Sequence, residues 1–138
     1  MLDWIRRHVP PGGTVAEGIG SGAYAYAGRV ASLAGRPIPL GWAHHERQWR
    51  GLRGHELAAE RERAVDGLYR ATSPEAMREA AAELAVEWVL YGIVERERYG
   101  AEGGAVLERL RAAAPVAAAF PPEDPRVFLF DFREADAP

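Results

Sequence analysis

Between Gly41 and Gly51 the chain reads Gly-Trp-Ala-His-His-Glu-Arg-Gln-Trp-Arg-Gly. Two Trp, two His, one Glu and two Arg fall within these eleven residues. Nearly every side chain there can stack, ionise or donate a hydrogen bond. A solvent-facing loop rarely needs two Trp, and a core rarely accepts two Arg, so the composition suits the wall of a cleft. The same composition also suits a structural plug, in which Arg stacks on Trp and pairs with a carboxylate. From the residues alone both readings stand.

Acid–base work falls to Glu17, His45, Glu46 and Glu95, and nothing in the sequence shows that any two of them converge. His44, His45, Glu46 and His55 raise a metal hypothesis, but Trp49 stands where His-Glu-x-x-His, counted from His45, needs its second His. Adjacent histidines on a regular helix do not ligate one ion together, so no metal is expected. Gly18-Ile-Gly20-Ser-Gly22-Ala23 follows a strand-like segment as a dinucleotide fingerprint does, yet Ala23 replaces its third Gly. A tight turn needing positive φ explains the same glycines. Ser21 lacks the spacing of a nucleophile elbow. The chain has no Cys, and all 17 of its basic residues are Arg. Thiol catalysis, disulfides, a Schiff-base lysine and a P-loop lysine are thereby excluded. No cofactor is expected.

These residues must be positioned by a scaffold. Leu2, Ile5 and Val9 recur at helical spacing, which predicts a short helix over 3–9. Residues 14–19 read as a strand. Residues 30–33 are unresolved between helix and strand, and 38–40 read as a further short strand. Residues 44–49 predict one or two helical turns, with His45 and Trp49 on one face and Glu46 paired to Arg50 four residues on. Residues 55–71 give the longest helix, with Leu57, Ala64, Val65 and Leu68 as its buried stripe. Arg61 falls in that stripe and would need a carboxylate, Glu46 or Glu17 being the expected partner. Glu60, Glu62 and Arg63 read as a solvated face.

Ser73-Pro74 is a helix start, a cap followed by Pro at the first helical position. Val86 to Val94 is mostly apolar and predicts a central strand buried on both faces. A third helix is expected over 103–113, then strands over 116–120 and 126–132, with Phe128, Phe130 and Phe132 alternating onto one face. The five residues between those strands cannot make a helical crossover, so the pair should be antiparallel. The fold class expected is therefore α/β: a single layered domain over residues 1–138, its mixed sheet flanked by helices, with an antiparallel strand pair at the C-terminus.

The length suits one domain with one core. A net charge of −3 indicates no general attraction to nucleic acid. No apolar run reaches the roughly 18 to 20 residues needed to span a bilayer. The first eight residues do not form a signal peptide, because charges interrupt them.

The stretch Gly35-Arg-Pro37-Ile-Pro-Leu-Gly41-Trp42-Ala-His-His45-Glu46-Arg-Gln-Trp49-Arg50-Gly51 resembles the T-G-x-P-x-x-x-G-W-x-x-H-E-x-Q-W-R-G segment of the YYY-type multi-pass membrane proteins. Those proteins are regarded as glycosyltransferases of the lipid-sugar-dependent GT-C type. Three other stretches are similar: Trp4-Ile-Arg before Pro-Gly-Gly with Val15-Ala-Glu17, Arg61 with Val65, Leu68 and Tyr69, and Trp88 to Tyr99. Ala34 departs from the family's Thr, and Ile93-Val94 from its strand exit. The resemblance spans roughly residues 2–132. It implies a non-cytoplasmic accessory domain cut from a polytopic protein, on the extracytoplasmic face of the cell membrane. The expected partners are that protein's membrane domain and a lipid-linked sugar or glycan, with no nucleic acid.

On this reading Trp42 and Trp49 stack on sugar rings. Arg29, Arg50 and Arg61 meet a phosphate or carboxylate, Glu17, His45 and Glu46 orient hydroxyls, and Glu95 joins the set. The catalytic carboxylates of GT-C enzymes generally sit in membrane-face loops, so the domain alone is expected not to catalyse. The rival is a structural interaction domain packing on the membrane part with no ligand.

Overall fold

The computed structural model describes residues 1–20, 26–49, 51–100 and 104–133. Its sheet contains β1 (Val15–Ala16), β2 (Trp88–Tyr91), β3 (Val116–Phe120) and β4 (Val127–Asp131), in the spatial order β1-β2-β4-β3. β1 runs parallel to β2, while β2–β4 and β3–β4 are antiparallel. The mixed sheet and the C-terminal antiparallel hairpin are those expected from the sequence.

Alternation along the strands divides the core in two. Trp88 and Leu90 of β2, with Leu129 of β4 and Val15 of β1, face α1 (Leu2–His8) and a π-helical turn at Val30–Ala34. Val89, Tyr91, Phe128, Phe130 and Phe132 face the other way. There they meet α3 (Gly51–Arg70), α4 (Pro74–Glu83) and α6 (Ala105–Ala113). Helices therefore cover both faces, which is why β2 reads as an apolar run rather than an alternating one. Arg36 joins the first layer by donating to the carbonyls of Val9 at 2.7 Å and Arg6 at 2.6 Å.

The central strand is shorter than the apolar run around it. Gly92 ends it, and Ile93–Tyr99 forms α5 instead of continuing the strand. The Glu95 carboxylate accepts the Gly92 N–H at 2.7 Å, satisfying a donor at the helix start. Ile93 looks like strand by residue type but is 52% exposed on the first turn of that helix.

Residues 38–40 are not a strand. They lead into α2 (Ala43–Trp49), which packs on α3 as a helical hairpin. The buried side of α3 runs through Gly54, Ala58, Val65, Leu68 and Tyr69, so Leu57 and Arg61 turn outward. Small residues at 54 and 58 allow α2 to approach closely, and that contact, rather than Leu57, sets the helix rotation. Arg61 is exposed, and it forms no ion pair among the described residues. The expected partnership of Arg61 with Glu46 or Glu17 is thus absent. Glu62, read as solvated, instead accepts Arg47 at 2.6 Å and Arg98 at 3.4 Å.

Ser73 caps α4 as expected, its Oγ accepting the Ala76 N–H at 3.2 Å. Ser73→Ala should cost about 1 kcal/mol in a urea melt. An unchanged midpoint would mean that Pro74 alone fixes this helix start.

Candidate functional site

Nine residues carried the sequence's candidate site, and the structure sorts the described ones into a buried trio, an aromatic ladder and a pair that lines a cleft. Glu17, Arg29 and Glu95 form the first. Glu17 follows β1, Arg29 precedes the π-helical turn, and Glu95 lies in the first turn of α5. The Arg29 guanidinium donates from Nη1 to Glu17 Oε2 at 2.8 Å. From Nη2 it reaches both oxygens of Glu95, each at 3.1 Å. Backbone donors complete the shell: Val30 N–H to Glu17 at 3.0 Å, and Gly18 and Gly92 N–H to Glu95 at 2.7 Å each.

Glycine is favoured at two points around this cluster. A Cβ on Gly18 would stand 3.2 Å from the Glu95 oxygen that its own N–H serves. Gly28 has φ +86°, and a Cβ there would lie 3.0 Å from the Trp42 indole nitrogen.

All three side chains are buried, with relative exposures of 3% for Glu17, 2% for Arg29 and 0% for Glu95. Two carboxylates share one guanidinium, so the interior would hold an excess negative charge if both ionised. Burial pushes the Glu17 carboxyl from 4.5 up to about 7, against the pull of Arg29. Burial also opposes the charge of Arg29, but the Glu95 and Glu17 carboxylates outweigh it and hold the guanidinium protonated. A carboxyl tuned near neutrality is what a general acid–base needs. Here the guanidinium fills the space between the two carboxylates, so the geometry is that of a structural plug. Tyr26 lies over the Arg29 guanidinium, 5.0 Å from its ring centre.

The second group stands on α2 and the residue just before it. Trp42, His45 and Trp49 form a ladder of rings, 5.8 Å from Trp42 to His45 and 6.3 Å from His45 to Trp49. The Trp42 indole N–H donates to the Ala27 carbonyl at 2.7 Å. Ala27 is two residues from Arg29, so this bond ties the aromatic ladder to the plug. Trp42 and His45 are half-buried, whereas Trp49 is 77% exposed at the helix end.

Glu46 and Arg61 both line a cleft of about 410 Å³, with no ion pair between the two. Thr14, the Pro37–Gly41 segment and Leu57 are among its other wall residues. A carboxylate, an exposed guanidinium and apolar wall residues suit a polar, partly anionic ligand. Arg50 lies outside the described residues, as do Gly22 and Ala23 of the glycine-rich turn. Among the described residues no three His, Asp or Glu side chains are grouped as a metal would need.

The sequence missed a third polar cluster. Arg98 of α5 grips Asp66 of α3 through two bonds of 2.9 Å, and the Tyr99 hydroxyl donates to Asp66 at 2.7 Å. Burial pushes the Asp66 carboxyl upward, but these bonds outweigh it and hold it below the usual carboxylate range. Tyr99 stacks on Tyr69 at 4.6 Å, and the Tyr69 hydroxyl donates to the Leu90 carbonyl at 2.7 Å. Burial, then the Glu95 charge, raises the Tyr69 phenol well above its ordinary value, so it stays a neutral donor. The Arg-rich exit after Tyr91 was the available signal. Its pairing with Asp66 depends on α5 being a helix.

No helix among the described residues is long and apolar enough to cross a membrane. No family model, no curated protein and no solved structure matches the chain.

Proposed function

We propose that the chain acts as an extracytoplasmic accessory domain of a membrane glycosyltransferase-like protein of the GT-C type. Its partners are the membrane part of that protein and a lipid-linked sugar or its acceptor. The observation that carries this reading is the cleft lined by both Glu46 and Arg61, with Glu46 next in the chain to His45 of the aromatic ladder. Arg61 is exposed and suited to a phosphate, while Glu46 accepts hydroxyl hydrogen bonds. The Trp42–His45 surface offers ring faces for stacking on sugar C–H groups. The Ala27 carbonyl, two residues from the buried plug, holds the Trp42 ring, so this stacking surface is fixed before any ligand arrives.

Titration of the purified domain with a soluble short-chain glycosyl phosphate, followed by NMR, tests the proposal. Shifts should centre on His45, Glu46 and Arg61. Glu46→Gln and Arg61→Met should each weaken binding about tenfold, the loss of one charged hydrogen bond. Arg61→Met should leave the melt within about 0.5 kcal/mol, as for an exposed residue with no ion pair among the described residues. Absence of shifts, or shifts centred elsewhere, would favour the structural interaction domain.

A further inference from the structure

We propose that the Glu17–Arg29–Glu95 cluster is a proton-operated latch on the segment 26–30, which in turn anchors the Trp42 ring. The cluster sets two carboxyl groups against one guanidinium, all three side chains being buried. Such a trio is neutral only while the carboxyl groups keep one proton between them. Without that proton an excess negative charge stays in the interior, which is costly. Glu17 is also what holds the segment. Its oxygens accept Arg29 Nη1 at 2.8 Å and the Val30 N–H at 3.0 Å, where the π-helical turn begins. Tyr26 covers the guanidinium and is itself 55% exposed. Ala27 accepts the Trp42 indole N–H at 2.7 Å, and Gly28 packs against the same ring. The Trp42 carbonyl then accepts the Glu46 N–H at 3.1 Å in the first turn of α2. Contacts thus run from the Glu17 carboxyl through the backbone of 27–30 to the aromatic ladder.

Lifting this segment lets water reach Glu17, whose carboxyl then titrates as an ordinary one. Arg29 Nε, buried with no hydrogen-bond partner among the described residues, gains water as well, which lowers the cost of opening. In the closed form burial holds the Glu17 carboxyl at about 7, against 4.5 when hydrated. Opening therefore releases a proton between those values. Its equilibrium constant rises about tenfold per pH unit across that window, about 300-fold in all, and levels off above it. The latch is closed in acid and loosened above neutrality. The tyrosines around the carboxyl groups, Tyr69 of α3 and Tyr91 of β2, do not compete for this proton, because burial raises both phenols further. Where the ladder receives a sugar, as proposed above, the latch makes that surface sensitive to pH. The latch itself does not require that reading, and its test contains no ligand, so either can fail alone.

Hydrogen exchange of the purified chain, followed by NMR between about pH 5 and 7, tests the latch. Base catalysis alone speeds exchange about tenfold per pH unit, so an opening that also releases a proton gives about a hundredfold. The Val30 amide and the Trp42 indole N–H should both show the steeper slope. Both should also exchange about tenfold or more faster than the amides of β2, since a local opening is easier than a global one. In Glu17→Gln the slope at both groups should fall to about tenfold per unit. The wild-type rates decide the matter even if that variant fails to fold. Exchange of Val30 and Trp42 at the rate of the β2 amides would overturn the latch, because the cluster would then open only with the whole molecule. So would an ordinary slope in the wild type, or a steep slope that survives in Glu17→Gln.

Discussion

Arg29→Met should destabilise the protein by about 3–5 kcal/mol at neutral pH, the cost of stranding buried charge. The substitution keeps most of the side chain's bulk but removes the guanidinium that holds Glu17 and Glu95 apart at 2.8 and 3.1 Å. Two buried carboxyl groups would then face each other, served only by backbone donors from Val30, Gly18 and Gly92. The loss should shrink in acid, where protonation removes the repulsion. Urea melts at neutral and acidic pH give both numbers. A loss below about 1 kcal/mol, the range of exposed pairs, would mean that water reaches the cluster and that it is no plug.

The second large effect is a pH dependence carried by Glu17. Its carboxyl rises from 4.5 to about 7 in the folded state. Between those values the folded chain holds a proton that the unfolded chain releases, so stability falls as pH rises. The full contribution is present below about pH 4.5, is lost through about pH 7, and amounts to about 3 kcal/mol. Glu17→Gln removes the titrating group. The difference in unfolding free energy, wild type minus variant, should therefore decrease by that amount from pH 4.5 to above 7. A difference that stays level or grows would place the shared proton elsewhere.

Much of the scaffold was legible in the sequence because it rests on local chemistry. The Ser73-Pro74 cap works through its own Oγ and the N–H three residues on. The alternation of Phe128, Phe130 and Phe132 follows from the period of an extended chain, and all three lie in one core cluster. The hairpin of β3 and β4 follows from a connection too short for a crossover. The burial of β2 on both faces follows from its lack of polar positions.

The tertiary structure decided where polar side chains went. Glu17, Arg29 and Glu95 were each singled out by type, but they lie 12 and 66 residues apart along the chain. Only the folding of β1, the π-helical turn and α5 onto one point joins them. Arg61 and Glu62 exchanged their expected roles because Gly54 and Ala58 set the rotation of α3, and a helix turned by one residue moves each side chain by about 100°. Ile93 to Tyr99 became a helix because one carboxylate, Glu95, met the Gly92 N–H and the Gly18 N–H at the end of β2. By itself the sequence determined which residues could ionise, stack or be buried and which segments could be regular. The register between segments, and so the partner of every charge, came from packing, because a charge is stabilised by whatever lies within a few ångströms and not by its neighbours in the chain.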